Sequence, residues 1–527
     1  FQNLIIILTK IVNMEKRGVV NMAREQWGTR AGFVLAALGS AIGLGNIWRF
    51  PYVAYENGGG AFFFPYLFAL LTAGIPLLIM EFTIGHKYRG SAPLSWARIN
   101  KKTEWLGWWQ VLISFVISVY YAAIIGWAIS YSIFSFNLSW GEDTQSFLFG
   151  NYLNLAENPG EFGGIVNGVF IPLVIVWIIT LGIIYMGVKK GIELANKIFI
   201  PTLVVIFLII VIRAVTLEGA FTGLNAFFKP SWDTILSPEV WVAAYGQIFF
   251  SLSIAFAIMI TYSSYLPRKS DINNNAFIVG FGNSGFELLA GIGVFACLGF
   301  MATTAGVAVD EVASAGVGLA FVVFPQIINQ FPGMNSLFGF LFFASLVLAG
   351  MTSLISIVEA YMAGVQDKFN LSRKKAVALF GVPAAIISIV FFSTRGGLYF
   401  LDAIDYFINN FGVAFAGLVS VIIVSWMLRK LPEFQSYSNE ISDLKIGGWW
   451  RFCLGIITPI VLGFMLVQNI YTNIKENYEE YPTSFIIQYG WVVAIGVIVI
   501  GFLLSLSKWK EGQLEMPRGE EYEEGSK

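Results

Sequence analysis

Long apolar runs, separated by short clusters of basic or acidic residues, organise this chain. A helix crossing the hydrocarbon of a bilayer needs about 20 mostly apolar residues. Runs of that kind lie near 29–54, 60–85, 107–136, 165–187, 195–216 and 240–265, and again near 274–303, 336–365, 375–393, 397–428, 448–472 and 484–507. The pattern predicts an all-α membrane protein of about twelve spans, and an even number places both termini on one side. The connections say which side. Those after the second, fourth, eighth and tenth spans carry His86-Lys87-Tyr88-Arg89 with Lys101 and Lys102, Lys189-Lys190 with Lys197, Arg373-Lys374-Lys375, and Arg429-Lys430; Arg268 and Lys269 follow the sixth. The stretch 138–164 and the loop 304–335 hold acidic residues and no lysine or arginine. Basic loops stay in the cytoplasm, so both termini are expected there.

Composition agrees and narrows the chemistry. Hydrophobic residues make up 57% of the 527 and charged ones 12%, about half the roughly 25% of a soluble domain. So few charges cannot cover a surface facing water. The one histidine, His86, reads as a solvated loop residue; a multi-histidine metal site is impossible and a Ser-His-Asp triad would hang on it alone. Cys297 and Cys453 form no CxxC pair, which suggests neither zinc nor a disulfide framework. A net charge of -1 gives no reason to expect nucleic acid. With no cofactor fingerprint either, the chain is expected not to be an enzyme. Residues 1–23, with a short apolar run at Leu4–Leu8 and methionines at 14 and 22, are set aside as an N-terminal extension with a start placed too far upstream. The acidic, polar tail 509–527 is expected to be disordered.

Two spans are poor recipes for continuous helix. The first reads Gly39-Ser40-Ala41-Ile42-Gly43-Leu44-Gly45-Asn46 and continues to Arg49 and Pro51. Small-residue helix packing is the bland alternative for its glycines. The buried amide and the arginine favour a break, because charge inside a span marks a pathway or a partner. The sixth places Gln247, Ser251 and Ser253 at mid-span. Interrupted spans at matching positions, five apart, point to a transporter built from two repeats with its binding site at the breaks. Glu81, Asn283, Glu287, Thr352, Ser353 and Glu359 add oxygen-bearing groups inside other spans. Such groups suit a hard monovalent cation and cannot form a soft-metal site. A shared proton between Glu81 and Glu359 is one reading of those two carboxyls.

At Arg24-Glu25-Gln26-Trp27, Gly39 through Pro51, Glu56 through Phe62, Gly246 through Ser253 and Leu371 through Lys374, the chain resembles the sodium:neurotransmitter symporter family (SNF), specifically its bacterial amino-acid branch. The resemblance implies a core at 24–430 of two inverted five-helix repeats, 24–216 and 240–430, with helices 1 and 6 broken and two peripheral helices at 446–508. It implies a first sodium at Ala41, Asn46, Ser251 and Asn283 with the substrate carboxylate. A second sodium would lie between Gly39, Ile42, Ala349, Thr352 and Ser353. The substrate would meet Ala41, Gly43, Leu44, Gly45, Tyr121, Phe250 and Ser253, its side chain lying among Ile117, Phe250, Phe256, Ser353 and Ile357. Amine carriers of the family have an aspartate where Gly43 stands, so an amino acid is expected, small to medium and aliphatic. The alanines at 255 and 257, where many relatives have glycine, would narrow the pocket or restrain the unwound backbone.

Chloride-dependent relatives have a serine where Glu287 stands, beside Tyr66, Gln247 and Ser251. Transport is therefore expected to be chloride-independent, with Glu287 protonated on the return step. The same matching implies an outer gate of Arg49 and Asp405, bridged by water above Tyr121 and Phe250. It implies an inner gate of Arg24 and Asp367 near Trp27, Ser264 and Tyr265. The reading is a sodium-driven amino-acid symporter of the cytoplasmic membrane of a bacterium. A proton-coupled permease of the same architecture and a transport-inactive amino-acid sensor are the alternatives.

Overall fold

The computed structural model describes residues 24–516. The readings for 1–23 and 517–527 lie outside the described residues. The described residues contain no β-strand; two isolated bridges, Gly59 with Pro230 and Ile165 with Thr394, tie loops together. Ten helices are long and apolar enough to cross a membrane: Gly60–Tyr88, Lys101–Phe134, Asn167–Tyr185, Val188–Val215, Ile272–Ala305, Asn335–Phe369, Arg373–Phe392, Gly397–Met427, Gly448–Glu480 and Thr483–Ser505. The first span is a bent pair, Arg30–Ala41 and Leu44–Glu56, turned by 54°. The sixth is Pro238–Ser251 and Ile258–Ser264 with six residues between them. Numbered in chain order, these are the predicted spans, with ends moved by a few residues.

Their outer faces show why they need lipid. On the fourth span Ile171, Ile175 and Ile178 are exposed while Leu173, Val176, Trp177 and Thr180 are buried. The fifth likewise exposes Ile198, Val205, Ile209 and Ile212 opposite buried Leu203 and Phe207. A helix apolar on every side is a membrane or deep-core helix. The protein is multi-pass.

Both breaks expose backbone, which in a membrane must find partners within the protein. The first helix ends at Ile42, which is extended, and Gly43 is extended too before the chain re-enters helix at Leu44. In the second break Ser253, Ala255 and Ala257 have φ of 52°, 67° and 62°. That left-handed conformation costs a residue with a Cβ about 1–2 kcal/mol. The alanines therefore sit where glycine would be unstrained. Side chains supply the missing partners. Ala255 N–H donates to Glu81 Oε1 at 2.8 Å, and Ser114 Oγ donates to the Phe256 carbonyl at 2.5 Å.

Three expectations need correction. His86 is not a solvated loop residue: the second span runs on to Tyr88, and His86 is buried. Its ring nitrogens meet Tyr437 Oη at 2.9 Å and the Pro267 carbonyl at 2.8 Å. The cover comes from the polar helix Leu431–Ile441, which packs on the end of the second span. The loop 304–335 holds an apolar helical stretch, Gly316–Gln330, too short to be counted as a span. The tail is ordered over 509–516, because Trp509 and the segment after it find partners in the core helices. Trp509 Nε1 donates to Glu104 Oε2 at 2.6 Å, and Gln513 Nε2 donates to the Asp367 carbonyl at 2.8 Å.

Candidate substrate and ion site

The two breaks face one another through oxygen atoms. Ser253 Oγ, in the sixth-span break, donates to the Ser40 carbonyl at 3.0 Å. Ser353 Oγ, on the eighth span, lies 3.2 Å from the Gly39 carbonyl and 3.3 Å from that of Ser40. Thr352 Oγ1 donates to the Ala349 carbonyl at 3.0 Å. Gly39, Ala349, Thr352 and Ser353 are thus brought together as a buried cluster of carbonyls and hydroxyls. Ile42 is buried at the end of the first half-helix, with its own N–H bonded to the Leu38 carbonyl.

A second cluster lies beyond the first break. Asn46 Oδ1 accepts the Gly43 N–H at 2.9 Å, and Asn46 Nδ2 donates to Asn283 Oδ1 at 2.8 Å. Asn283 Nδ2 donates to Ser251 Oγ at 2.6 Å. Here the amides satisfy one another. A hard monovalent cation in their midst requires the two amide oxygens to turn inward, since it is held by oxygen lone pairs and the amide NH2 only donates. Ser251 Oγ and Gln247 Nε2 both donate to Glu287 Oε1 at 2.7 Å, and the Tyr66 hydroxyl donates to Glu287 Oε2. Glu287 is fully buried, and among the described residues it makes no ion pair with Arg49, which lies over the Phe250 ring.

Between the clusters the first break presents the N–H groups that open the half-helix Leu44–Trp48. Leu44 N–H donates to Tyr121 Oη at 3.3 Å. A Cβ at Gly43 would stand 3.0 Å from Ser353 Oγ and 3.2 Å from Tyr121 Oη, and one at Gly45 would stand 3.1 Å from the Phe250 ring. Backbone N–H groups at a helix N-terminus attract anions, and a side chain at 43 would crowd Ser353 Oγ and Tyr121 Oη. Ala41, Ile117, Phe250, Phe256 and Ile357 are buried or nearly so in the helices around this point. The lining is apolar on one side and oxygen-rich on the other.

The two pairs expected to form gates are not alike. At one end Arg24 Nη1 pairs with Asp367 Oδ2 at 3.0 Å while its Nε and Nη2 donate to Ser264 Oγ at 3.0 and 2.7 Å. The Arg24 guanidinium also stacks over Tyr265, 4.9 Å from the ring centre. Burial pushes this guanidinium down, and the Asp367 carboxylate more than offsets it, holding Arg24 above its ordinary pKa. Trp27 closes the same end, its Nε1 donating to the Tyr262 carbonyl at 2.8 Å. At the other end Arg49 lies over the Phe250 ring at 4.8 Å, and Asp405 accepts from Tyr120 Oη at 2.6 Å and Asn409 Nδ2 at 2.9 Å. Arg49 and Asp405 make no direct ion pair among the described residues.

A shared proton between Glu81 and Glu359 is overturned. Glu81 holds the Ala255 amide, whereas Glu359 forms a buried ion pair with Arg373 at 2.7 Å and accepts from Tyr265 Oη at 2.7 Å. Reading the sequence missed Tyr120 as the partner of Asp405. The adjacent Tyr121 drew the attention, and two tyrosines in a row on a helix point to different neighbours. It also missed Arg373, quoted within its motif but not connected to a carboxylate.

With this geometry in hand, comparisons place the chain among known proteins. The model of the sodium:neurotransmitter symporter family matches residues 24–159 and 143–511. The chain is 41% identical to an uncharacterized sodium-dependent transporter of Methanocaldococcus jannaschii, over 93% of this chain and 99% of that protein. It is 28% identical to the sodium-dependent dopamine transporter of Caenorhabditis elegans, over 96% of this chain and 88% of that one. Among solved structures it is similar to MhsT in complex with L-phenylalanine, with a TM-score of 0.71 and 32% identity, over 84% of this chain and 99% of MhsT.

Proposed function

The chain belongs to the sodium:neurotransmitter symporter family, and from that premise we propose that it is a sodium-coupled importer of a hydrophobic amino acid that works without chloride. Members of the family are sodium-dependent transporters, and this chain is a multi-pass membrane protein of that kind. The observation that carries the finer reading is the junction of the two breaks, where the N–H groups of Leu44 and Gly45, at the start of a half-helix, stand beside the Tyr121 hydroxyl and opposite hydroxyls and carbonyls. The amides receive the substrate carboxylate, with the Tyr121 hydroxyl beside them. The oxygen clusters receive two sodium ions, one at Ala41, Asn46, Ser251 and Asn283, the other at Gly39, Ile42, Ala349, Thr352 and Ser353. That the related structure was solved with L-phenylalanine supports an amino acid with an apolar side chain.

The mechanism follows from charge. The substrate carboxylate completes the first ion's shell, so sodium and substrate raise one another's affinity, equally and reciprocally. Glu287 provides the fixed negative charge that otherwise comes from an anion. In the present arrangement the Arg24–Asp367 pair is made and Arg49 is free of Asp405, so the end bearing the basic loops is shut. By the placement of those loops, that end is cytoplasmic and both termini lie there, in the cell membrane. Loading both ions and substrate draws the two broken helices together, closes Arg49 toward Asp405 and releases the inner pair.

Uptake by proteoliposomes holding the purified protein tests this. An inward sodium gradient is expected to drive accumulation of an apolar amino acid, chosen first by a thermal-shift screen, and potassium in place of sodium to abolish it. Uptake that survives without sodium would instead point to proton coupling. Ligand binding without accumulation would indicate a sensor.

A further inference from the structure

One buried oxygen beside the second cation position has no partner. Asn196 lies in the first turns of the fifth span and is fully buried. Its Nδ2 donates to the Ile192 carbonyl one turn back, at 2.9 Å. That bond fixes the amide: turned over, it would set Oδ1 against a carbonyl oxygen, two acceptors in contact. Oδ1 therefore faces away from its own helix, and it accepts no hydrogen bond.

What it faces is the first span. A Cβ built on Gly39 would stand 2.3 Å from Asn196 Oδ1 and 3.0 Å from the Thr352 Cβ. Gly39 and Thr352 are two of the residues that hold the second ion in the proposed function, and no other side chain supplies an oxygen there from the fifth span. The surrounding packing sets this approach. One turn earlier on the same face, Glu193 takes the Gly28 N–H at 2.6 Å and the Thr29 hydroxyl at 2.8 Å, and a Cβ at Gly32 would stand 2.3 Å from its carboxyl carbon. Gly32 and Gly39 thus form a groove into which the fifth span presses Glu193 and Asn196. A buried acceptor left without a donor is destabilising, and a cation removes that cost.

We propose that Asn196 contributes an oxygen from the fifth span to the second sodium position, completing its shell on the side that Gly39 leaves open. This rests on the reading that sodium binds beside Gly39 and Thr352. An amide carbonyl oxygen is a hard donor of the kind a hard cation takes, and its place on the fifth span ties that helix to the ion's arrival and departure.

The test measures sodium-dependent thermal stabilisation and substrate binding of the purified full chain, with sodium chloride titrated against potassium chloride. Asn196→Ala is expected to raise the half-saturating sodium concentration by about tenfold, the equivalent of about 1.4 kcal/mol, with substrate affinity at saturating sodium unchanged. Asn196→Asp keeps the shape and adds a charge, and is expected to lower the half-saturating concentration below that of the unaltered protein. It serves as the decisive variant if Asn196→Ala does not fold. An unchanged sodium dependence in either variant overturns the assignment. Stabilisation of the unaltered protein by potassium as well as by sodium would instead overturn the underlying reading, and the two failures are distinct.

Discussion

Ser251 donates its hydroxyl to Glu287 at 2.7 Å while accepting from Asn283 at 2.6 Å. One hydroxyl therefore joins the first ion cluster to the buried carboxyl, and the charge at Glu287 is felt by whatever binds at Asn283. Replacing Glu287 by serine removes that charge but keeps an oxygen. Uptake by the unaltered protein is expected to be the same in chloride and gluconate. For Glu287→Ser, uptake is expected to fall by about tenfold or more in gluconate, the equivalent of about 1.4 kcal/mol of lost stabilisation, and to recover in chloride. Equal activity in both salts for the variant would show that the carboxyl does not stand in for an anion.

In the proposed function the inner pair sets a conformational balance. Arg24 and Asp367 are about one-fifth exposed, so their attraction is partly screened and worth about 1 kcal/mol at most. A loss of about 1 kcal/mol moves a two-state population about fivefold. Arg24→Ala is therefore expected to raise the labelling rate of a cysteine placed at Tyr265 by about that factor, in sodium-free buffer. Cys297 and Cys453 are buried and give little background. A rate that does not change would mean that Trp27 and its bond to Tyr262 hold the gate shut without the ion pair.

In the proposed function Gly43 carries the discrimination between amino acids and amines. A Cβ there would stand 3.0 Å from Ser353 Oγ and 3.2 Å from Tyr121 Oη, closer than ordinary contact. Gly43→Asp would place a carboxylate where the substrate's own is expected. Amino-acid binding, read by isothermal titration in sodium, is expected to fall by more than about a hundredfold, the equivalent of about 2.7 kcal/mol. Retention of affinity would place the substrate carboxylate elsewhere.

The extent to which this was legible in sequence divides by range. Spans follow from local composition, because lipid imposes one requirement on every exposed face. The first break was legible too: three glycines and an amide at 39–46 cannot make a sound helix interior. The partners of buried polar groups were not. Glu359 and Arg373 sit on either side of a turn, and their meeting depends on how the eighth and ninth spans cross. His86 looked solvated because its cover, the helix Leu431–Ile441, comes from a distant part of the chain. Asn196, following two lysines and a glutamate, reads as the polar start of a span; only the depth of the fifth helix against Gly39 makes it buried.

Arg373 gives a stability prediction. It neutralises Glu359, which is fully buried, and also reaches Glu25 Oε1 at 2.7 Å. Arg373→Ala leaves a buried carboxylate without its cation, at a cost of about 3–5 kcal/mol. Glu359→Gln with arginine kept should cost less, since Arg373 retains Glu25. Thermal unfolding in detergent is expected to rank them in that order, and Arg373→Ala with Glu359→Gln should recover part of the loss. An additive double variant would mean that the two residues do not act on each other.

The alanines of the sixth-span break supply the sharpest backbone test. Ala255 and Ala257 hold φ of 67° and 62°, where glycine has no Cβ to strain. Elsewhere glycine for alanine loses about 0.5–1 kcal/mol through the entropy of the unfolded chain. At these two sites the relief of about 1–2 kcal/mol of left-handed strain opposes that loss and exceeds it. Ala255→Gly and Ala257→Gly are therefore expected to leave the thermal midpoint unchanged or raised. Ala290→Gly, in the continuous seventh span and fully buried, is expected to lower it. Should all three lower it alike, the break would be ordinary helix in the working protein, and Glu81 would have no exposed Ala255 amide to hold.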